Sequence, residues 1–350
     1  MNLYDSSLYM EDVALAADAD LPWEKLQDSS FLVSGATGLI GSFLIDVLLF
    51  KDGRDHLNCT VYALGRNELK AKTRFNRFAN DPHLMFVPYD VNQSFIREDI
   101  DQVDYVLHLA SNTHPMQYAT DPIGTITTNI IGLQNLLEFA VAHNAARFAF
   151  SSSNEVYGEN RGDVESFDEH YCGYIDSNTL RAGYPESKRC GEALCQAYKS
   201  QKGLDVVIPR LTRSYGPTML MSDTKALSQF IKKGITGENI VLKSAGTQYY
   251  SYSYVLDSVT GLLTVLLKGE NGEAYNVADE KSDIMLKDLA RIIADYSGTE
   301  VVFEIPDVTE ASGYSRATKA RLNGNKLKKL GWEPIYSIKQ GVYRTMEILK

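Results

Sequence analysis

Tyr184-Pro-Glu-Ser-Lys188 sets a phenol and an ammonium one helical turn apart, on one face of a helix whose first turn accommodates Pro185. A nearby cation favours the phenolate, so Tyr184 is read as a general base near neutral pH, with Lys188 lowering its pKa and binding a ribose. Such pairs also occur on ordinary solvated helix faces. This one gains weight from Ser151-Ser-Ser-Asn-Glu-Val-Tyr-Gly158, which stands where a strand ends. There the Ser153 hydroxyl is suited to orient a substrate hydroxyl whose proton Tyr184 removes while the carbon bearing it is oxidised.

Oxidation of an alcohol needs a hydride acceptor. Strand Phe31-Leu-Val-Ser34 runs into Gly35-Ala-Thr-Gly38-Leu-Ile-Gly41 and then into an apolar helix. Glycines here allow a tight turn, close approach of a diphosphate and close packing of helix on strand, with helix N–H groups facing the anion. The turn residues Gly35, Thr37, Gly38, Leu39, Ile40 and Gly41 are therefore placed against a dinucleotide. The spacing is one residue wider than the commonest fingerprint. An acidic residue about 20 positions later would normally bond the adenosine ribose; this chain has Leu64-Gly65-Arg66-Asn67 instead. Arg66 either accommodates a 2′-phosphate, which keeps NADP open beside NAD, or stacks on adenine or sits in solvent.

These groups need a scaffold, and the pattern supplies one. Thr60-Val-Tyr-Ala-Leu, Leu84-Met-Phe-Val, Tyr105-Val-Leu-His-Leu, Arg147-Phe-Ala-Phe and Val206-Val-Ile-Pro-Arg-Leu are short apolar runs with helical stretches such as Thr127 to His143 between them. They predict an α/β protein with a doubly wound parallel (Rossmann) sheet whose ligand crevice lies at the carboxyl ends of the strands. A short amphipathic helix precedes it as a cap. Beyond residue 211 the order loosens into Tyr- and Ser-rich segments, a helix near Asp257 to Leu267 and a strand Ala274-Tyr-Asn-Val. A smaller substrate lobe interleaved with the sheet is expected. The boundaries read as an extension at 1–29, a dinucleotide domain at 30–210 plus about 250–280, and the lobe at about 211–249 plus 281–350.

Bulk properties narrow the class. The length of 350 residues exceeds one comfortable core of about 250–300, consistent with a large domain and a lobe. Apolar residues at 44% and charged residues at 23% describe a folded globular chain. With 35 basic and 45 acidic residues the net charge is −10 and the cations are scattered, which excludes a nucleic-acid track. Cys59, Cys172, Cys190 and Cys195 lack metal or disulfide spacing and read as reduced packing residues, with no metal site. Acidic residues crowd the first 25 positions, the reverse of a targeting signal, and no membrane span is read, so a cytoplasmic location is expected.

Gly35-x-x-Gly38-x-x-Gly41, Asp90-Val91, Leu109-Ala110, Asn129, Ser151-Ser-Ser-x-x-Val-Tyr-Gly, Tyr184-x-x-x-Lys188, Tyr215-Gly-Pro217 and Leu330-Gly-Trp-x-Pro334 together resemble the extended short-chain dehydrogenase/reductases, specifically the NAD-dependent epimerase/dehydratases of nucleotide sugars. The resemblance runs from about residue 30 to near the end. It implies a tightly held NAD, with Asp90 and Val91 near the adenine and Leu109, Ala110, Ser111 and Asn129 among the cofactor residues. It also implies a nucleotide-diphospho-sugar on the lobe, oxidised at C4, and a homodimer built on the two helices that include Thr127 to His143 and Glu186 to Ser200. Relatives that remove water between C5 and C6 carry an Asp-Glu pair where this chain has Asn154-Glu155, and the amide cannot supply the acid. The motifs resemble most the UDP-glucuronate decarboxylases, including His108-Leu-Ala-Ser111 with Tyr118, Pro122 and Thr125, and Arg181-Ala-Gly-Tyr-Pro-Glu-Ser-Lys-Arg189. On that likeness Glu155 assists at C4–C5, and His114 lies in a loop that approaches the sugar.

Two departures bear on substrate. Arg213 stands where the family usually has Asn, and Tyr250 where it usually has an Arg that grips diphosphate or ribose. Arg213 then faces either a diphosphate or a substrate carboxylate. The cluster Tyr249, Tyr250, Tyr252 and Tyr254 is either a plain strand with aromatics on both faces or a wall of the sugar site. A 4-epimerase needs only Ser153, Tyr184 and Lys188, a 4,6-dehydratase is the weaker alternative, and a redox-inactive nucleotide-binding protein is the rival class.

Overall fold

The computed structural model describes residues 2–97, 99–100, 102–113, 115–304 and 318–350. Its main sheet takes β1 (Ser30–Ser34), β2 (Thr60–Gly65), β3 (Leu84–Pro88), β4 (Tyr105–His108), β5 (Arg147–Phe150), β7 (Val206–Leu211) and β11 (Ala274–Val277) in the order β11-β7-β5-β4-β1-β2-β3, with β6 (Ser152–Ser153) paired to β7. Every pairing in it is parallel. Alternate strand residues feed opposite faces. Phe31, Val33 and Leu107 join the core under α2 (Leu39–Asp55) and α8 (Val255–Lys268), while Leu32, Val106 and Phe148 join the core under α5 (Pro122–Ala142) and α6 (Gly183–Lys202). Burying both faces explains why the strands read as continuous apolar runs.

The strand order reverses between β1 and β4, which opens a crevice at their carboxyl ends. Ser34 fastens that point: its Oγ accepts from the Leu109 and Ala110 N–H groups, each at 3.2 Å, and lies 2.8 Å from His108 Nδ1. Burial pushes His108 down to about 3, so this histidine is neutral.

The lobe is built from returns of the chain. One residue after β7, the chain enters β8 (Arg213–Tyr215), which pairs with β10 (Tyr249–Tyr254); β12 (Asp283–Met285) and β14 (Lys319–Ala320) complete this sheet on β10. A two-stranded sheet, β9 (Ile240–Leu242) with β13 (Val301–Phe303), and the amphipathic helices α7 (Ala226–Thr236) and α9 (Leu286–Ser297) cover it. The expected boundary near 250 placed β10 with the main sheet; β10 instead lies in the lobe's sheet. Its residues from Tyr250 to Tyr254 are buried on both faces, and their partners are lobe strands. Helix α8 and β11 do return to the main layer.

The N-terminal helix α1 (Ser7–Ala17) packs on α2, α8 and the helix Ile338–Leu349. Its Tyr9 and the preceding Tyr4 donate their hydroxyls to the buried Asp46 of α2, which also pairs with Arg74. Asp12 accepts from Tyr254 Oη and from Arg344 Nε, each at 2.5 Å. Among the described residues, no helix is long and apolar enough to cross a membrane.

Candidate active site

A cleft of about 930 Å³ runs along the carboxyl ends of the strands and under the lobe. At its floor lies the glycine turn. Gly35 holds φ +70, and a Cβ there would stand 2.8 Å from the backbone of Leu109 and Ala110; a Cβ on Gly41 would collide with the Gly35 carbonyl. α2 starts beyond Gly38 without a side-chain cap, so its first N–H groups and the positive end of its dipole face the cleft. With Thr37, Leu39 and Ile40 beside them, these groups form a cradle that fits the diphosphate of a dinucleotide.

Arg66, Asp90, Val91, Leu109, Ala110 and Ser111 also line the cleft, so the structure brings them together along it. Asn129 is different. It is fully buried, its Oδ1 accepts from Ser111 Oγ at 2.8 Å, and its Nδ2 donates to Ser187 Oγ at 2.9 Å. Both ends of the amide are spent joining the loop after β4 to α6, so Asn129 supports the site from beneath rather than facing it. His114 falls outside the described residues.

The reacting end is set by β6 and α6. Ser153 ends β6 and caps the short helical turn Asn154–Tyr157, its Oγ accepting from Glu155 N at 3.2 Å. Beneath it, Ser152 Oγ donates to Glu192 Oε1 at 2.5 Å, and Glu192 is held bidentately by Arg210. Tyr184 lies in the first turn of α6, buried, with the Tyr118 ring 4.9 Å away. Lys188 follows one turn later, its Nζ donating to the Ser151 carbonyl at 2.7 Å and lying 5.9 Å from the Tyr184 ring centre.

Here the electrostatics depart from expectation. Burial pushes the Tyr184 phenol up to about 12, reinforced by the Glu155 charge and opposed by hydrogen bonding to Ser153 and Ser111 and by Arg181. Burial also draws the Lys188 ammonium down to about 7, against the pull of Glu192. The anticipated lowering of the Tyr184 pKa by Lys188 is therefore not what the protein alone displays. Each charged form pays for leaving water, and that cost is the largest cause of both shifts.

Glu155 is gripped by Arg181, whose Nη2 reaches both carboxylate oxygens at 2.7 Å, while the guanidinium lies 4.7 Å from the centre of the Tyr118 ring. Asn154 is buried beside Ser153. Arg213, on β8, lies on the Tyr250 ring with its central carbon 3.5 Å from the ring centre. Among the described residues no carboxylate pairs with Arg213, and its Nη1 is a buried donor without an acceptor. Arg213 lines both the main cleft and a side pocket shared with Asn154, Glu155 and Arg181. The tyrosine cluster divides: Tyr250 and Tyr252 line the cleft, whereas the Tyr254 hydroxyl is spent on Asp12.

Sequence reading passed over several cleft residues from the lobe: Ser222, the pair Asp223 and Lys225 at 2.7 Å, Lys243 and Gln248. Their spacing carries no motif, and only the fold of the lobe over the sheet brings them to the crevice.

A model of the NAD dependent epimerase/dehydratase family matches residues 31–278. UDP-glucuronic acid decarboxylase 1 of Xenopus tropicalis is 30% identical over 91% of this chain and 72% of its own length. UDP-glucuronic acid decarboxylase 5 of Arabidopsis thaliana is 30% identical over 89% of this chain and 86% of its own. Among solved structures, a dTDP-glucose 4,6-dehydratase from Streptomyces venezuelae with NAD bound superposes with a TM-score of 0.78 at 25% identity, covering 91% of this chain and 96% of that one.

Proposed function

The chain belongs to the NAD dependent epimerase/dehydratase family, and from that premise we propose that it oxidises a nucleotide-diphospho-sugar at C4, its substrate a UDP-uronate that it decarboxylates. Bound NAD would supply the electron-pair acceptor for C4 and a positively charged ring beside the phenol. Gly35, Thr37, Gly38, Leu39, Ile40 and Gly41 would hold its diphosphate, with Ser111 and Lys188 further along the same cleft.

The remaining work falls to side chains. Ser153 Oγ fixes the 4-hydroxyl, and Tyr184 exchanges its proton. Since burial keeps the phenol protonated at rest, Tyr184 becomes a base only when positive charge is brought against it. With C4 a ketone, a carboxylate on C5 is β to the carbonyl. Its C–C bond breaks, carbon dioxide leaves, and the electron pair passes to the C4 oxygen, where Ser153 and Tyr184 donate hydrogen bonds to it. A proton then adds at C5 to give the 4-ketopentose, which becomes the pentose when the hydride returns to C4 from the reduced dinucleotide. Arg213 grips the carboxylate before it departs, and Glu155, oriented by Arg181, assists at C5.

The observation that carries this reading is Arg213, a cation without an acidic partner among the described residues, beside Asn154, Glu155 and Arg181 rather than at the glycine turn. Oxidation at C4 alone gives it no task. The test is incubation with UDP-glucuronate and mass analysis of products. A UDP-pentose with carbon dioxide is expected; an epimerised uronate that keeps its carboxyl would make the protein a 4-epimerase, and no turnover with cofactor present would favour a binding role.

The same reading extends to assembly. Ile123, Ile126 and Ile131 on α5 are exposed, and α5 packs along α6, which supports a homodimer through these helices. Four free cysteines support a reducing, cytoplasmic setting. Sedimentation of the purified chain tests the first, and fractionation of cells producing it tests the second.

A further inference from the structure

A second phenol stands in the reacting half of the cleft, and the sugar chemistry leaves it without a task. Tyr118 lies on α4 (Pro115–Thr120), its ring between two groups already placed: the Tyr184 ring, 4.9 Å away by centres, and the Arg181 guanidinium, 4.7 Å from the Tyr118 ring centre. The residue is only 7% exposed. Buried tyrosine hydroxyls ordinarily find a partner. Among the described residues the Tyr118 hydroxyl has none, yet it is not sealed from solvent, and Tyr118 lines the main cleft. An O–H that opens on a cleft and is unanswered by the chain is available to a ligand.

Its position narrows what it does there. Ser153 and Tyr184 mark the C4 oxygen, whereas Glu155, Arg181 and Arg213 mark C5 and its carboxylate. C4 and C5 are bonded neighbours, so a group wedged between Tyr184 and Arg181 is placed to reach the bond that joins them. Loss of carbon dioxide leaves an enolate whose C5 must take up one proton, and the other neighbours are poor sources. Both Glu155 oxygens accept from Arg181, the Asn154 amide is not an acid, and the Lys188 ammonium donates to the Ser151 carbonyl. Tyr118 holds its proton ready: burial pushes the phenol well above its ordinary range, reinforced by Tyr184, Glu155 and Asp223 and opposed by Arg181. An enolate carbon is a stronger base than a phenolate, so the transfer runs downhill.

We propose that Tyr118 is a catalytic acid that gives its hydroxyl proton to C5 after carbon dioxide has left. The O–H bond breaks as the C5–H bond forms, and the electron pair on the C4 oxygen returns to make the carbonyl. The phenolate lies against the Arg181 guanidinium until solvent returns a proton to it. One solvent proton is consumed in each turnover, as loss of carbon dioxide from a carboxylate requires. The proposal rests on the decarboxylase reading and adds to it the source and the face of the new hydrogen.

The test is turnover of UDP-glucuronate by the whole protein in deuterated water, with the pentose read by NMR. C5 of the product carries two hydrogens, and the parent chain should place a deuteron in one of the two positions alone. Tyr118→Phe keeps the ring and loses no hydrogen bond within the chain, so it should fold as the parent does. It should lower kcat by about 10²-fold, move KM by less than about threefold, and scatter the remaining label over both positions. Unchanged turnover with single-position labelling in Tyr118→Phe would overturn the proposal. So would slower turnover with the label still confined to one position, since another fixed donor would then serve C5. In both of those outcomes carbon dioxide is still released and the decarboxylase reading survives; if the parent chain releases none, that reading falls and this proposal with it.

Discussion

The catalytic wall and the adenosine rim of the same cleft treat charge in opposite ways. Along the wall, Glu155 is met by Arg181, Glu192 by Arg210 and Lys188 by the Ser151 carbonyl, all within the chain and largely out of water. Along the rim, Arg66 and Lys70 are exposed and line the cleft, and among the described residues no carboxylate pairs with either. Burial at the wall is felt as altered proton affinity, the phenol up to about 12 and the ammonium down to about 7. At the rim the Lys70 ammonium is lowered too, by partial burial and then by the neighbouring Arg66 charge, but neither cation is neutralised by a carboxylate among the described residues. One end of the cleft answers its charges within the chain, and the other leaves two cations unanswered among the described residues.

Substitutions that sharpen or break this contrast rank by expected effect. Tyr184→Phe, which removes the titrating hydroxyl and keeps the ring, should cut turnover by about 10²–10⁴-fold while the protein still binds dinucleotide. Turnover within tenfold of the parent chain would end the account of the wall. Arg213→Ala should raise KM for UDP-glucuronate about 10–100-fold, the scale of a lost charge-assisted pair, and leave binding of UDP-glucose nearly unchanged. If both sugars weaken alike, Arg213 serves the diphosphate.

A pH experiment addresses the wall without substrate. The Lys188 ammonium sits at about 7 in the folded protein against an ordinary 10.5, so between those values the unfolded chain binds more protons. Its contribution to stability therefore grows as pH rises from 7 toward 10.5, and below 7 the buried charge is a constant cost. Denaturant unfolding at pH 7 and pH 9.5 should show the parent chain gaining on Lys188→Met by on the order of 2–3 kcal/mol. A parallel pair of curves would mean that Lys188 is not desolvated. The smallest effect belongs to the rim: Arg66→Ala, at an exposed site with no carboxylate partner among the described residues, should leave stability within about 0.5 kcal/mol. A larger loss would show that the rim, too, serves the fold.

The strands of the main sheet, the glycine turn and the Ser153, Tyr184 and Lys188 set were all readable in the chain, because each rests on local rules: apolar runs for buried strands, glycine where a Cβ would strike backbone, one helical turn between phenol and ammonium. Side-chain direction was not readable. Asn129 was placed at the cofactor by motif, yet its amide turns inward to Ser111 and Ser187. Arg213 and Tyr250 read as two separate departures from the family pattern, but β8 and β10 are paired neighbours, so the guanidinium lies on the ring. For Tyr184 the proximity of a cation is visible in sequence, whereas the cost of burial, which pushes the phenol up, is not. Lobe residues such as Lys225 and Lys243 were invisible because no local pattern announces which surface a loop will cover.

The clasp of Asp12 by Tyr254 and Arg344 has a bearing on how the molecule is made. Those partners lie 242 and 332 residues further along the chain, so the ribosome releases them long after the helix that needs them. Until Arg344 emerges, α1 carries an acid that burial would leave without its counter-charge, and α2, which rises from the glycine turn, lacks the finished helix it leans on. Synthesis therefore delivers α1 and α2 early, whereas the contacts that complete their packing wait for Tyr254 and Arg344.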